Sequence, residues 1–200
     1  MDIQGKVAII TGGASGIGAG LAERFAAEGA RGIVVADLNL AQAEGVAAAI
    51  NADGSQRAMA MRCDVSTEAD NQALVAATRA RFGQVDIYVS NAGIGGGTGG
   101  FEVADEVWER MWKIHGMAHV WAARAVVPEM VERGEGGFVV TASAAGLLTQ
   151  IGSMSYSITK AAAVSLAEWL AVTHHHQGIR VSVLCPQGVD TAMLRAGGDN

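Results

Sequence analysis

The stretch "KVAIITGGASGIG", residues 6–18, decides the fold. Val7–Ile10 is continuously apolar, and an apolar run that short, ended by glycines, reads as a buried strand. Glycines 12, 16 and 18 come directly after it. They allow a tight turn and a close approach of the backbone to a ligand. A helix begins there, and its first turn offers unpaired N–H groups and a positive dipole to an anion. Strand, glycine loop and helix in that order are the context that makes a glycine triplet a phosphate cradle. Gly12, Ser15, Gly16, Ile17 and Gly18 are therefore candidate contacts to a dinucleotide pyrophosphate.

The same pattern repeats outward. Apolar runs at 6–11, 32–37, 58–65, 85–90, 137–143 and 179–185 are nearly continuous, as expected of strands buried on both faces of a parallel sheet. Helix-length, alanine-rich segments lie between them, roughly 16–29, 39–52, 67–82, 103–133 and 155–177, and Thr67 is a good helix start. Strand–helix alternation with right-handed crossovers predicts an α/β, Rossmann-type, doubly wound parallel sheet in three layers. The chain has 200 residues and no linker or repeat, so residues 1–200 are expected to form one domain.

Composition excludes several classes. Half the residues are hydrophobic and the formal net charge is −6, with no basic run, which argues against a nucleic-acid partner. The N-terminal apolar stretch is too short for a signal peptide or a membrane span. Cys63 and Cys185, the two cysteines, lie in apolar runs and read as free thiols of a reducing compartment. The cytoplasm is the expected location. Asp37 ends the second strand, where a carboxylate can accept hydrogen bonds from both hydroxyls of an adenosine ribose. It would repel a 2′-phosphate, and no Lys or Arg stands at 11–20 or 38–40 to offset that, so NAD is favoured over NADP.

Further along, "SMSYSITKAAA" (153–163) puts Tyr156 and Lys160 at i and i+4 of a small-residue helix. A phenol ionises near pH ~10 and is a poor base at neutrality. An ammonium one turn away favours the phenolate and fits the pair for acid/base work.

Taken together these segments resemble the short-chain dehydrogenase/reductase family over essentially the whole chain. The loop has the family's TGxxxGxG spacing, "NAG" (91–93) closes the fourth strand, and Ser143 precedes the YxxxK motif of Tyr156 and Lys160. The resemblance implies strand order 3-2-1-4-5-6 and a hydride transfer between a nicotinamide and a secondary alcohol or ketone. It implies Tyr156 as general acid/base, Lys160 holding the nicotinamide ribose, and Ser143 hydrogen-bonding the substrate oxygen. Asp64 and Val65 of "CDV" would meet the adenine, and Asn91, Ala92 and Gly93 would line the cofactor. Pro186, Val189 and Thr191 of "CPQGVDT" (185–191) would hold the nicotinamide.

Three departures stand out. His115 occupies the place of an asparagine that links the family's lysine to solvent, and histidine could serve that relay while titrating near neutral pH. His115 and His119 also have metal-ligand spacing, but no carboxylate or cysteine accompanies them, so no metal is expected. Gln187 stands where a glycine often comes after the proline. Finally, family members usually continue through a substrate loop, a helix and a seventh strand, and no seventh strand is expected here. The strand at 179–185 would then need cover. A homodimer or homotetramer built on helices 103–133 and 155–177 is expected. The alternative to an enzyme is a non-catalytic nucleotide-binding regulator or scaffold of the same fold.

Overall fold

The computed structural model describes residues 2–196. Six strands form one parallel sheet: β1 Val7–Thr11, β2 Gly32–Asp37, β3 Ala58–Arg62, β4 Ile87–Ser90, β5 Gly136–Thr141 and β6 Ile179–Leu184. Their order is β3-β2-β1-β4-β5-β6, as the family resemblance implies. The reversal between β1 and β4 opens a crevice at the carboxyl ends of these strands, where ligands of such sheets bind.

Eight helices accompany the sheet among the described residues: α1 Gly16–Ala27, α2 Leu40–Ile50, α3 Glu68–Phe82, α4 Asp105–Trp112, α5 Ala118–Arg133, α6 Ala145–Leu148, α7 Met154–His174 and α8 Ala192–Ala196. Alternation along each strand builds two cores. Ile9, Val34, Tyr88, Phe138 and Val140 face α3, α5 and α7. Ala8, Ile10, Ile33, Val35 and Val89 face α1 and α2. Tyr88 and Phe138 are register partners on β4 and β5, and their rings stack with centroids 5.7 Å apart. Thr67 starts α3 as expected, its Oγ1 accepting the Asp70 N–H at 3.2 Å.

Three expectations need correction. The long helix at 103–133 is two helices joined by a π-helical turn, Lys113–Met117. Each half is amphipathic on its own, so the change of phase is invisible to a 3.6-residue period. Strand β6 is not buried on both faces: Arg180, Ser182 and Leu184 are exposed. Strand β3 is only partly buried too, because both are edge strands. No seventh strand occurs among the described residues. Residues 197–200 lie outside them.

Candidate active site

Four strand ends converge on the crevice. At Gly12 the backbone turns with φ +64°, and a Cβ there would come within 2.8 Å of Ala92 Cα. A Cβ on Gly18 would lie 2.1 Å from the Gly12 carbonyl oxygen. The loop is therefore as tight as glycine permits. Ser15 precedes α1 in extended conformation, its side chain makes no capping bond, and the first turn has no acidic residue. The donors and dipole at this helix end are left for an anion, so the residues present fit a dinucleotide pyrophosphate. Ile17 is half-buried beside them. Thr191, at the start of α8, reaches back so that its Cγ2 would be 3.0 Å from a Cβ on Gly16. The segment containing Pro186 and Val189 thus runs back to the glycine loop, and the Pro186 carbonyl accepts the Ala144 N–H at 2.9 Å.

Asp37 ends β2 and does more than face a ligand. Its Oδ2 accepts the Ala14 N–H at 3.1 Å and its Oδ1 accepts the Asn39 N–H at 3.0 Å. It ties the glycine loop to the second strand while each oxygen keeps a lone pair. Asp64 accepts hydrogen bonds from the Ser66 hydroxyl (2.7 Å) and N–H (3.0 Å), which hold its carboxyl below the usual range. Val65 packs on the core beside it. Asn91 joins β4 to β1: its N–H donates to Thr11 Oγ1 at 3.0 Å and its Nδ2 to the Thr11 carbonyl at 2.9 Å. Ala92 N–H shares Thr11 Oγ1 at 3.2 Å.

Tyr156 and Lys160 project from the first turns of α7. Tyr156 is half-buried, and Lys160 is 4% exposed. Lys160 Nζ lies 5.7 Å from the Tyr156 ring centroid and donates to the Thr141 carbonyl at 3.0 Å. Burial lowers Lys160 to about 8, partly opposed by the Cys185 thiol. Ser143 lies two residues beyond Thr141. Its Oγ accepts the Ala145 N–H at 3.2 Å, and its own proton has no acceptor among the described residues. Gly93 sits between the groups: a Cβ there would be 3.5 Å from both Lys160 Nζ and His115 Nε2.

His115 departs from the relay expectation. It is fully buried in the π-helical turn. Nε2 accepts the Ile94 N–H at 3.1 Å, which places the ring proton on Nδ1. Nδ1–H then donates to Thr159 Oγ1 at 3.1 Å, and Thr159 donates to the Tyr156 carbonyl at 3.0 Å. Neither nitrogen is left to carry a proton from Lys160 to solvent. Nor does the ring titrate near neutrality: burial first, then the Lys160 and His119 charges, lower it to about 2. Its edge packs on the Tyr156 ring with centroids 5.5 Å apart. His115 ties the loop after β4 to α7.

The family description "short chain dehydrogenase" matches residues 6–200. The chain belongs to this family. It is a hydride-transfer oxidoreductase of the dehydrogenase type, which removes the ground for a non-catalytic scaffold. The chain is 39% identical over 190 residues to a 2,5-dichloro-2,5-cyclohexadiene-1,4-diol dehydrogenase of Sphingobium indicum, covering 94% of this chain and 75% of that one. A 3-ketoacyl-(acyl-carrier-protein) reductase from Brucella melitensis, solved with NADH, superposes with a TM-score of 0.91 at 35% identity, over 96% of this chain and 79% of that one. A short chain dehydrogenase/reductase from Burkholderia phymatum, solved with NAD, gives 0.92 at 34% identity, over 98% and 70%.

Several residues of this short-chain dehydrogenase escape sequence reasoning. Thr11 knots β1 to β4, and its strand-end position before the glycines is the one available signal. Thr159 is buried inside the YxxxK motif, where its link to His115 has no sequence signature. Gly146 lets α6 lie directly on α7, since a Cβ there would be 2.6 Å from the Lys160 carbonyl oxygen. Ser90 and His119 form a buried pair at 2.6 Å. The spacing of His119 from His115 gives no sign of that pairing.

Proposed function

We propose that this short-chain dehydrogenase oxidises apolar secondary alcohols, or reduces the matching ketones, with NAD, and that residues 1–200 form its single dinucleotide-binding and catalytic domain. One observation carries the reading: Lys160, one helical turn from Tyr156, is buried and fixed on the carbonyl of Thr141, which stands two residues before Ser143. A bound nicotinamide supplies the hydride acceptor. Tyr156 takes the proton of the substrate hydroxyl and returns it in the reverse direction. The Lys160 ammonium steadies the negative oxygen and holds the nicotinamide ribose. Ser143 donates its free proton to the substrate oxygen as charge grows there. Gly12, Ser15, Gly16, Ile17 and Gly18 hold the pyrophosphate, Asp37 the adenosine ribose, and Asp64 with Val65 the adenine. Asn91, Ala92, Gly93, Pro186, Val189 and Thr191 complete the cofactor site.

The loop at 98–102 is tied to the loop before α7, with Gly99 N–H on the Gly152 carbonyl at 2.8 Å. Phe101 and Ile151 stand almost fully exposed on these loops, and Leu147 and Leu148 stand exposed at the end of α6 beside them. Such an apolar border supports a ring-containing or otherwise nonpolar alcohol, a class to which the Sphingobium enzyme's named cyclohexadienediol also belongs. No described helix is long and apolar enough to cross a membrane. Both cysteines are free, which supports a reducing, cytoplasmic location. Exposed Ile158, Trp169 and Val172 on α7 support a homodimer or homotetramer.

Cofactor choice tests the reading. Oxidation of a panel of secondary alcohols, followed at the absorbance of the reduced nicotinamide, is expected with NAD at rates at least about tenfold above NADP. Asp37→Ser should narrow that gap. It should also weaken both cofactors, because the Ala14 N–H loses its acceptor. Equal use of both cofactors by the unmodified chain would remove the argument from Asp37.

A further inference from the structure

The hydride-transfer reading uses Tyr156 and Lys160 and gives no task to Thr159 between them. Thr159 is fully buried, on the face of α7 that meets α4 and the π-helical turn. One turn before it on that face, Ser155 Oγ lies 3.3 Å from Met111 Sδ and 3.4 Å from the Gly97 carbonyl. Thr159 Oγ1 lies 3.1 Å from His115 Nδ1. The start of α7 therefore grips the loop after β4 at two points: Gly97 directly, and Ile94 by way of His115.

The hydrogen bonds through Thr159 form a row that runs in one direction. Ile94 N–H donates to His115 Nε2, His115 Nδ1–H to Thr159 Oγ1, and Thr159 Oγ1–H to the Tyr156 carbonyl. Only one tautomer of the imidazole satisfies this row. With the threonine hydroxyl gone, a proton on Nδ1 would be buried without an acceptor. A proton moved to Nε2 would meet the Ile94 N–H, donor against donor. Either way the imidazole loses a bond and its fixed place. That ring stands edge-on to the Tyr156 ring, with centroids 5.5 Å apart and planes at 89°. On its other side it reaches the backbone next to Lys160, since a Cβ on Gly93 would be 3.5 Å from both His115 Nε2 and Lys160 Nζ. A π-helical turn carries it there, a geometry that occurs mostly as single turns at functional sites.

We infer that Thr159 is a positioning residue for the proton transfer: through His115, its hydroxyl fixes the Tyr156 ring against the loop proposed to wall the cofactor site. The inference rests on the role given above to Tyr156. Thr159 acts at one remove, because its hydroxyl is bonded to His115 and to a backbone carbonyl.

The test is a single turnover followed at the absorbance of the reduced nicotinamide. Enzyme is in excess over NAD, and the fastest alcohol of the panel above is saturating. Each bound NAD is then reduced once, so the rate constant does not depend on the folded fraction of the preparation. Thr159→Val should lower that rate constant by about 10- to 100-fold, the scale of a small misplacement of reacting groups. NAD affinity, measured by calorimetric titration, should stay unchanged. Thr159→Ser, which keeps the hydroxyl, should recover most of the rate. A merely structural threonine would cost Thr159→Val thermal stability and leave the rate constant in place, and that result overturns the inference. A serine variant as slow as the valine variant overturns it too. If Thr159→Val does not fold, His115→Asn takes its place: the amide still accepts the Ile94 N–H but removes the ring beside Tyr156, and an unmodified rate constant in it overturns the inference. Tyr156→Phe run alongside separates the two readings. If it is inactive while Thr159→Val keeps the unmodified rate constant, only the positioning role is wrong. If it turns over normally, the role of Tyr156 fails first and the inference falls with it.

Discussion

Tyr156→Phe is expected to lower turnover by about 100- to 10,000-fold while NAD binding persists. The phenylalanine keeps the ring that packs edge-on against His115, so the π-helical turn and the loop at Ile94 should be undisturbed. Only the hydroxyl proposed to exchange a proton with the substrate is lost. Its effect therefore separates from folding and from the cofactor cradle, which is built from β1, β2 and β4 at the other side of the crevice. Stopped-flow or steady-state rates, with calorimetric titration of NAD, measure both halves. Wild-type turnover in the variant would show that another group moves the proton.

The second large effect is on acid stability. His115 and His119 stay neutral when folded, with values of about 2 and about 3, and bind protons near pH 6.5 when unfolded. Their stabilising contribution is fully present above pH ~6.5 and is lost as pH falls through the window down to these folded values. Each group held neutral costs about 1.4 kcal/mol per pH unit below that point, so two cost about 2.7 kcal/mol per unit. The carboxylates with lowered values act below their ordinary range of about 4 to 4.5, leaving the interval from pH 4.5 to 6.5 to the histidines. Urea unfolding across that interval should show the slope. His119→Gln should remove about half of it, as should His115→Asn, whose amide can still accept the Ile94 N–H. A stability that is flat between pH 4.5 and 6.5 would show that the rings are not buried neutral.

Legibility in the sequence depends on which forces are local. Strand and helix identity come through because Val7–Ile10, Gly32–Ala36 and their counterparts are buried by the same periodicity that marks them. Gly12 and Gly18 are legible because their neighbours leave no room for a Cβ. Tyr156, Lys160 and Ser143 emerge from motif spacing, and the fold brings the lysine to the strand end that carries the serine. The π-helical turn is not legible, since one inserted residue changes the phase of a helix without changing its composition. The histidines mislead for a related reason. Their burial depends on packing between α5, α7 and the β4 end, contacts that span up to 44 positions in sequence. Asp37 reads as a ribose ligand without its second bond to Ala14, because a turn's backbone donors cannot be placed before its path is known.

The most direct test of hydride transfer uses an apolar secondary alcohol carrying deuterium on its carbinol carbon. The full chain is incubated with this alcohol and NAD, and the reduced cofactor is isolated and weighed by mass spectrometry. The proposed chemistry predicts one deuterium on each reduced nicotinamide and one ketone formed per cofactor reduced. Reduced cofactor without deuterium, or no ketone from any alcohol of the panel while NAD binds, would contradict it.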